Sequence, residues 1–177
     1  MKIKYIFLLL SSILLVSFSS VSSKITKKAD KEILKFYEVS IFEKDFINIP
    51  EDITKEVSSK FNENNFFKIF GNDKTLGYAY IGNAPSKTAT YDYLVLFDND
   101  FIITKSKVLI YREEYGGEIG SKRWLKQLIG KTQNDKLIYE DNILAISGAT
   151  ISVRSMTKAV NNLLRSIKVL HDRNVLQ

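Results

Sequence analysis

From Val153 to Leu170, apolar side chains recur every third or fourth residue: Val153, Met156, Val160, Leu163, Leu164, Ile167 and Leu170. Neither glycine nor proline interrupts the run. That spacing puts all of them on one face of a helix, which the sequence predicts from near Ser152 to about His171. Such a helix must lie on a broad apolar surface.

The middle of the chain supplies that surface. "FFKIFGNDKTLGYAYIG" reads as strand, turn and strand, with "GNDK" as punctuation. "ATYDYLVLFDNDFIITKSKVLIYRE" holds two more strands, hinged at Asp98, Asn99 and Asp100. "KLIYEDNILAI" is read as one or two further extended pieces, and "SKRWLKQLIGK" as a short helix ended by Gly130. Toward the N-terminus, residues 24–45 run into a helix-like segment carrying Ile33, Leu34, Phe36, Tyr37 and Ile41. "INIPEDITKEVSSKF" looks like a second helix start, with Pro50, Glu51 and Asp52 in its first turn. The fold class is α+β: an antiparallel sheet of about four to six strands, helices packed on it, and a long C-terminal amphipathic helix.

The first residues have the layout of an export signal: a basic start at Lys2 and Lys4, an apolar run from Tyr5 to Phe18, then small residues to Ser23. The run is short of the ~20 apolar residues that span a membrane, so cleavage before Lys24 is the expectation and an uncleaved anchor the alternative. The division expected is a signal peptide over 1–23, an N-terminal helical segment over 24–74, the main domain over 75–171 and a tail over 172–177. Localisation is then extracytoplasmic, in the periplasm or on the outer face of the membrane. There is no cysteine, so no disulfide supports the exported chain. The net charge of +6 is spread among acidic residues without a basic stripe, which argues against a nucleic-acid partner. The single histidine, His171, has no partners for a triad or a zinc site and reads as a cation at a helix C-terminus.

Just ahead of the long helix stands Ser147-Gly148-Ala149-Thr150. A helix N-terminus carries unpaired N–H groups and the positive end of the helix dipole, a ready phosphate site. Gly148 and Ala149 let the backbone approach a ligand, Thr150 sets a hydroxyl at its mouth, and Ser152 can cap the helix. An ordinary Ser/Thr cap accounts for the same residues. The loop Glu113 to Gly120 is the second candidate. Gly116 and Gly117 make its backbone permissive, and Tyr115 could stack on a flat ring, as could Trp124 were it not more simply a core residue.

"SGATIS" followed by an apolar helix, together with "YREEYGGEIGSKRWLKQLIGK" upstream, resembles the FMN-binding domain family. That family includes the covalent-flavin subunits of the sodium-translocating NADH:quinone reductase and Rnf complexes, and related small exported flavoproteins. The likeness covers roughly residues 75 to 165. It implies FMN as cofactor, joined by a phosphoester to Thr150, and a flavin transferase as maturation partner. Ser147, Gly148, Ala149 and Ser152 would surround the phosphate, and Glu113, Tyr115, Gly116 and Gly117 would lie toward the ring. The family usually has Asp where this chain has Leu144. The resemblance implies an electron carrier served by a membrane electron-transfer complex or another flavoprotein, more than a stand-alone oxidoreductase. The alternatives are a flavin-dependent extracytoplasmic reductase and a non-redox adaptor that has lost the flavin.

Overall fold

The computed structural model describes residues 22–176, so the expected signal peptide lies, but for its last two residues, outside the described residues. Five strands form one antiparallel meander in chain order: β1 (Glu43–Phe46), β2 (Phe66–Gly71), β3 (Lys74–Pro85), β4 (Thr90–Phe97) and β5 (Ile103–Ile110). The turn between β2 and β3 is Asn72-Asp73, both at positive φ, the geometry that matches the twist of a two-residue hairpin. At the β4–β5 turn the Asp98 carboxylate accepts the N–H groups of Asp100 and Ile102 at 3.0 and 2.9 Å.

Helices cover both faces of this sheet. On one lies α1 (Ser23–Tyr37), which buries Ala29 and Ile33 against Phe67, Ile69, Ala79, Ile81, Leu94, Leu96 and Leu109. On the other, α4 (Thr150–Asp172) lays its whole stripe on Tyr78, Tyr80, Tyr91, Tyr93, Val95 and Phe97. Between β1 and β2 sits a single helical turn, α2 (Glu51–Thr54), and between β5 and α4 a short helix, α3 (Lys122–Leu125), which continues as a 3-10 turn to Leu128. Because both faces are covered, Thr90 is the only exposed residue of β4. Its odd-numbered residues from Tyr91 to Phe97 face α4, while Leu94 and Leu96 face α1. Among the described residues no helix is long and apolar enough to cross a membrane.

Several sequence expectations change here. Residues 24–74, set apart as a helical segment, contribute to the same sheet both the unexpected β1 and the expected strand β2. The second helix stops after one turn, because the N–H groups of Ser58 and Ser59 turn to the Ser166 hydroxyl of α4, at 3.0 and 2.9 Å. "KLIYEDNILAI" adds no strand to the sheet and makes only an isolated bridge between Tyr139 and Ile143. Its backbone is instead held by side chains: Asn161 accepts the Leu137 N–H and donates to the Leu137 carbonyl, at 2.8 and 2.7 Å. The tail folds back, with Leu176 buried and the Val175 N–H on the Leu170 carbonyl. His171 does stand in the last turn of α4, half-buried and in contact with its neighbours. It stands edge-on to Phe101 with Nδ1 2.7 Å from Gln133 Oε1, and burial holds its pKa below the ordinary histidine value.

The α4 stripe gives a direct stability test. Leu163 is fully buried over the sheet, so Leu163→Ala leaves a cavity and should cost about 2–5 kcal/mol in urea unfolding. Lys158→Ala, on the exposed side of the same helix, should stay within about 0.5 kcal/mol. Equal effects from the two changes would contradict this packing.

Candidate functional site

Past β5 the chain enters the loop Tyr111 to Gly120, where Gly116 takes φ +80 and leads into a 3-10 turn over Gly117–Gly120. Ser121 then caps α3, and Trp124 enters the core. Its indole N–H donates to the Leu144 carbonyl at 2.7 Å, and Gln127 Oε1 accepts the Leu144 N–H, also at 2.7 Å. One short helix thus grips both backbone groups of Leu144, whose side chain is left 68% exposed.

From that grip the chain runs through Ile146, whose carbonyl takes the Ala149 N–H at 3.1 Å, and turns at Gly148 with φ +79. Helix α4 begins at Thr150, two residues earlier than expected, with Ala149 as its cap residue. Alanine offers no side-chain acceptor, and no side chain caps this end. Val153 is the first amide of the helix to reach a carbonyl, that of Ala149 at 2.9 Å. The N–H groups of Thr150, Ile151 and Ser152 have no acceptor among the described residues. A Cβ built on Gly148 would meet nothing within 4 Å, so the turn is open on that side.

Ser152, expected as the cap, is turned the other way. It is buried, its hydroxyl lies 3.0 Å from the Tyr111 hydroxyl, and its carbonyl accepts from Tyr91 at 2.9 Å. Beside it the Ser155 hydroxyl, 2.8 Å from that of Tyr91, donates to the Pro85 carbonyl at 2.6 Å. Burial raises the Tyr91 phenol pKa further above its ordinary value.

The second motif meets the first. A Cβ on Gly116 would lie 3.2 Å from the Gly148 carbonyl and 3.4 Å from the Ala149 Cα, so glycine is what lets the two turns touch. Tyr115 projects outward, 83% exposed, and Gly117 faces open space. Glu113 is employed otherwise. Its carboxylate accepts the N–H groups of Thr88 and Ala89 and the hydroxyls of Ser86 and Thr88, closing the β3–β4 turn. Those bonds, led by the Thr88 N–H, hold its pKa down at about 2.

The structure therefore brings together Ser147, Gly148, Ala149, Thr150, Tyr115, Gly116 and Gly117, sets Ser152 behind them and moves Glu113 to a supporting turn. Sequence reading missed Tyr91, Tyr111, Gln127 and Ser155. The tyrosines read simply as strand aromatics, and only their contacts reveal more. A large cleft of about 1120 Å³ opens on the flank of α4 beside Asn83, Pro85, Ser155, Lys158 and Asn162. It includes none of the two turns, so it is a separate feature.

A depressed carboxylate pKa contributes stability that is complete above the unfolded value near 4.5 and is lost as pH falls through about 2. The Thr88 and Ala89 amide resonances should therefore stay fixed on acidification to roughly pH 4 and move only toward pH 2. Glu113→Gln should remove that transition. A midpoint near the ordinary value would show a carboxylate free of the turn.

Residues 88–165 match the FMN-binding domain family. The solved structure of Shewanella oneidensis NqrC is similar, with a TM-score of 0.54 and 15% identity over 78% of this chain and 93% of that chain. At that identity the likeness concerns the fold. No curated protein matches the chain. The site fits the flavin: three free helix amides and an open glycine turn suit a phosphate, and the exposed Tyr115 beside bare backbone suits a flat ring. Residues 88–165 are thus similar to the FMN-binding domain family, and the cofactor this match indicates is FMN.

Proposed function

We propose that this protein is an exported electron carrier whose FMN is joined through its phosphate to the hydroxyl of Thr150. The observation that carries the reading is the uncapped start of α4. Thr150 is an exposed hydroxyl on the first residue of a 23-residue helix, with free amides beside it and an open glycine turn before it. An ordinary Ser/Thr cap, the competing account, would use a side-chain oxygen on those amides, and none does so.

The attachment is a group transfer from FAD by a flavin transferase. The Thr150 oxygen would form the bond to the phosphorus on the riboflavin side as the pyrophosphate bond breaks, with AMP as the leaving group and the threonine proton passing to a base of the transferase. Once bound, the flavin supplies one- and two-electron chemistry. The chain's own work is to hold it: the amides of residues 150–152 around the phosphate, and Tyr115, Gly116 and Gly117 toward the ring. Once the flavin is attached, turnover of such a carrier needs no general base or nucleophile of the chain. Export rests on the leader over residues 1–23, and it would place the carrier beside a membrane electron-transfer complex or another flavoprotein.

Thr150→Val keeps the shape and removes only the nucleophilic oxygen. Co-expressed with a flavin transferase, it should lose all flavin fluorescence on a denaturing gel while keeping the wild-type unfolding curve. Gel-stable flavin in that variant would sink the attachment site. Thr150→Ser should retain part of the label, because a primary hydroxyl makes the same ester.

Leu144→Asp restores the acid usual in the family at a side chain that is 68% exposed, so its stability cost should be within about 0.5 kcal/mol. Its labelling should rise above that of the natural chain if the missing acid limits the transferase. Labelling that falls would show that the apolar side chain is the one recognised.

A further inference from the structure

Tyr111 stands just past β5, where the two turns of the site meet. Its hydroxyl donates to the Tyr115 carbonyl at 3.0 Å. With that proton committed, the Ser152 hydroxyl, 3.0 Å away, donates to the phenol oxygen. The same oxygen would lie 2.8 Å from a Cβ on Gly116. One atom therefore touches the glycine loop on one side and the first turn of α4 on the other. The ring that carries it packs 5.8 Å from that of Tyr91, whose hydroxyl donates to the Ser152 carbonyl.

We infer that Tyr111 is a positioning residue for the flavin. It fixes the separation of the Thr150 turn from the Tyr115–Gly117 loop, so that the phosphate end and the ring end of one cofactor are held in register. This rests on the flavin attachment proposed above. The Tyr115 carbonyl is at the surface, where water can replace the phenol. The buried Ser152 hydroxyl has its bond to the phenol and loses it, so breaking the junction should loosen the site and also lower stability modestly.

The test compares full-length Tyr111→Phe with Tyr80→Phe, which removes a similar phenol-to-carbonyl bond, to Lys60 at 3.0 Å, remote from both turns. In flavin-free protein, amide exchange is followed at Ile119 and Val153, bonded to the Gly116 and Ala149 carbonyls. Tyr111→Phe should speed both by about fivefold, the worth of one ordinary hydrogen bond, and Tyr80→Phe should leave them unchanged. In protein co-expressed with a flavin transferase, the flavin per chain should fall by about the same factor in Tyr111→Phe. The labelled fraction should also shift in midpoint potential and emission, which a merely structural change would not move. Unchanged exchange, or wild-type labelling with a wild-type potential, overturns the inference and leaves the attachment standing. A natural chain that accepts no flavin sinks the attachment and this inference with it.

Discussion

The bed that β3 and β4 offer to α4 fixes where the first turn of that helix stands in the candidate site. Val153, Val160, Leu163 and Ile167 are fully buried there, with Met156 and Leu164 almost so. The helix cannot rotate without lifting them out, nor slide by a turn of ~5.4 Å without emptying one set of contacts for another. Residue 150 consequently emerges at one place, over the end of the sheet marked by Tyr91 and Tyr111. Polar bonds refine that placement: Tyr91 to the Ser152 carbonyl, Ser155 to the Pro85 carbonyl, and Ser166 to the amides of residues 58 and 59. The opposite layer matters too. Helix α1 covers Leu94 and Leu96, so β4 is packed on both faces and gives α4 a stiff support.

The pull that the site exerts on a phosphate comes from backbone N–H groups, with little help from the arginines nearest in sequence. Arg154, in the first turns of α4, lies over the Tyr139 ring at 4.6 Å. Arg112 is paired with Asp92 and donates to the Thr90 carbonyl. A helix end presents only about half an elementary charge, so such a cradle alone holds a phosphate loosely. The proposed ester bond would change what the cradle has to do. Retention would no longer depend on affinity, and the amides would serve to orient the group. This is a physical reason to favour attachment at a site with so few committed cations.

Much of this was legible in the sequence, and the limits follow from the kind of interaction involved. The α4 stripe, the β2–β3 and β4–β5 hairpins and the two glycine-bearing motifs each have a local signature: a period, or a turn residue at a fixed offset. β1 was hidden because four residues carry no usable period, and α2 stopped after one turn because its continuation found Ser166, more than a hundred residues away. Ser152 misled for a related reason. Its residue type suits a cap, but a buried hydroxyl follows its nearest partner, and that partner is Tyr111. Glu113 was grouped with the cofactor by motif, whereas its acceptors were already filled by the turn at residues 86–89.

Position 144 separates what a motif specifies through side chains from what it specifies through the backbone. The acid usual in the family is absent, yet the chain at this point is held by the Trp124 indole and the Gln127 amide, which bond only to main-chain atoms. Any residue other than proline at 144 would be held the same way, because only proline lacks the N–H that Gln127 accepts. The path into the Ser147–Thr150 turn is therefore independent of the side chain at 144, and Leu144 leaves the Thr150 hydroxyl where the helix puts it. The cost of the departure falls on whatever meets the outer surface. There the substitution exchanges a carboxylate for an apolar group, and Ile151 and Tyr115 are exposed apolar side chains as well. The Ser147–Thr150 turn thus keeps its geometry and changes its face, so the departure from the usual family pattern would act on recognition by a partner and leave the fold of the site intact.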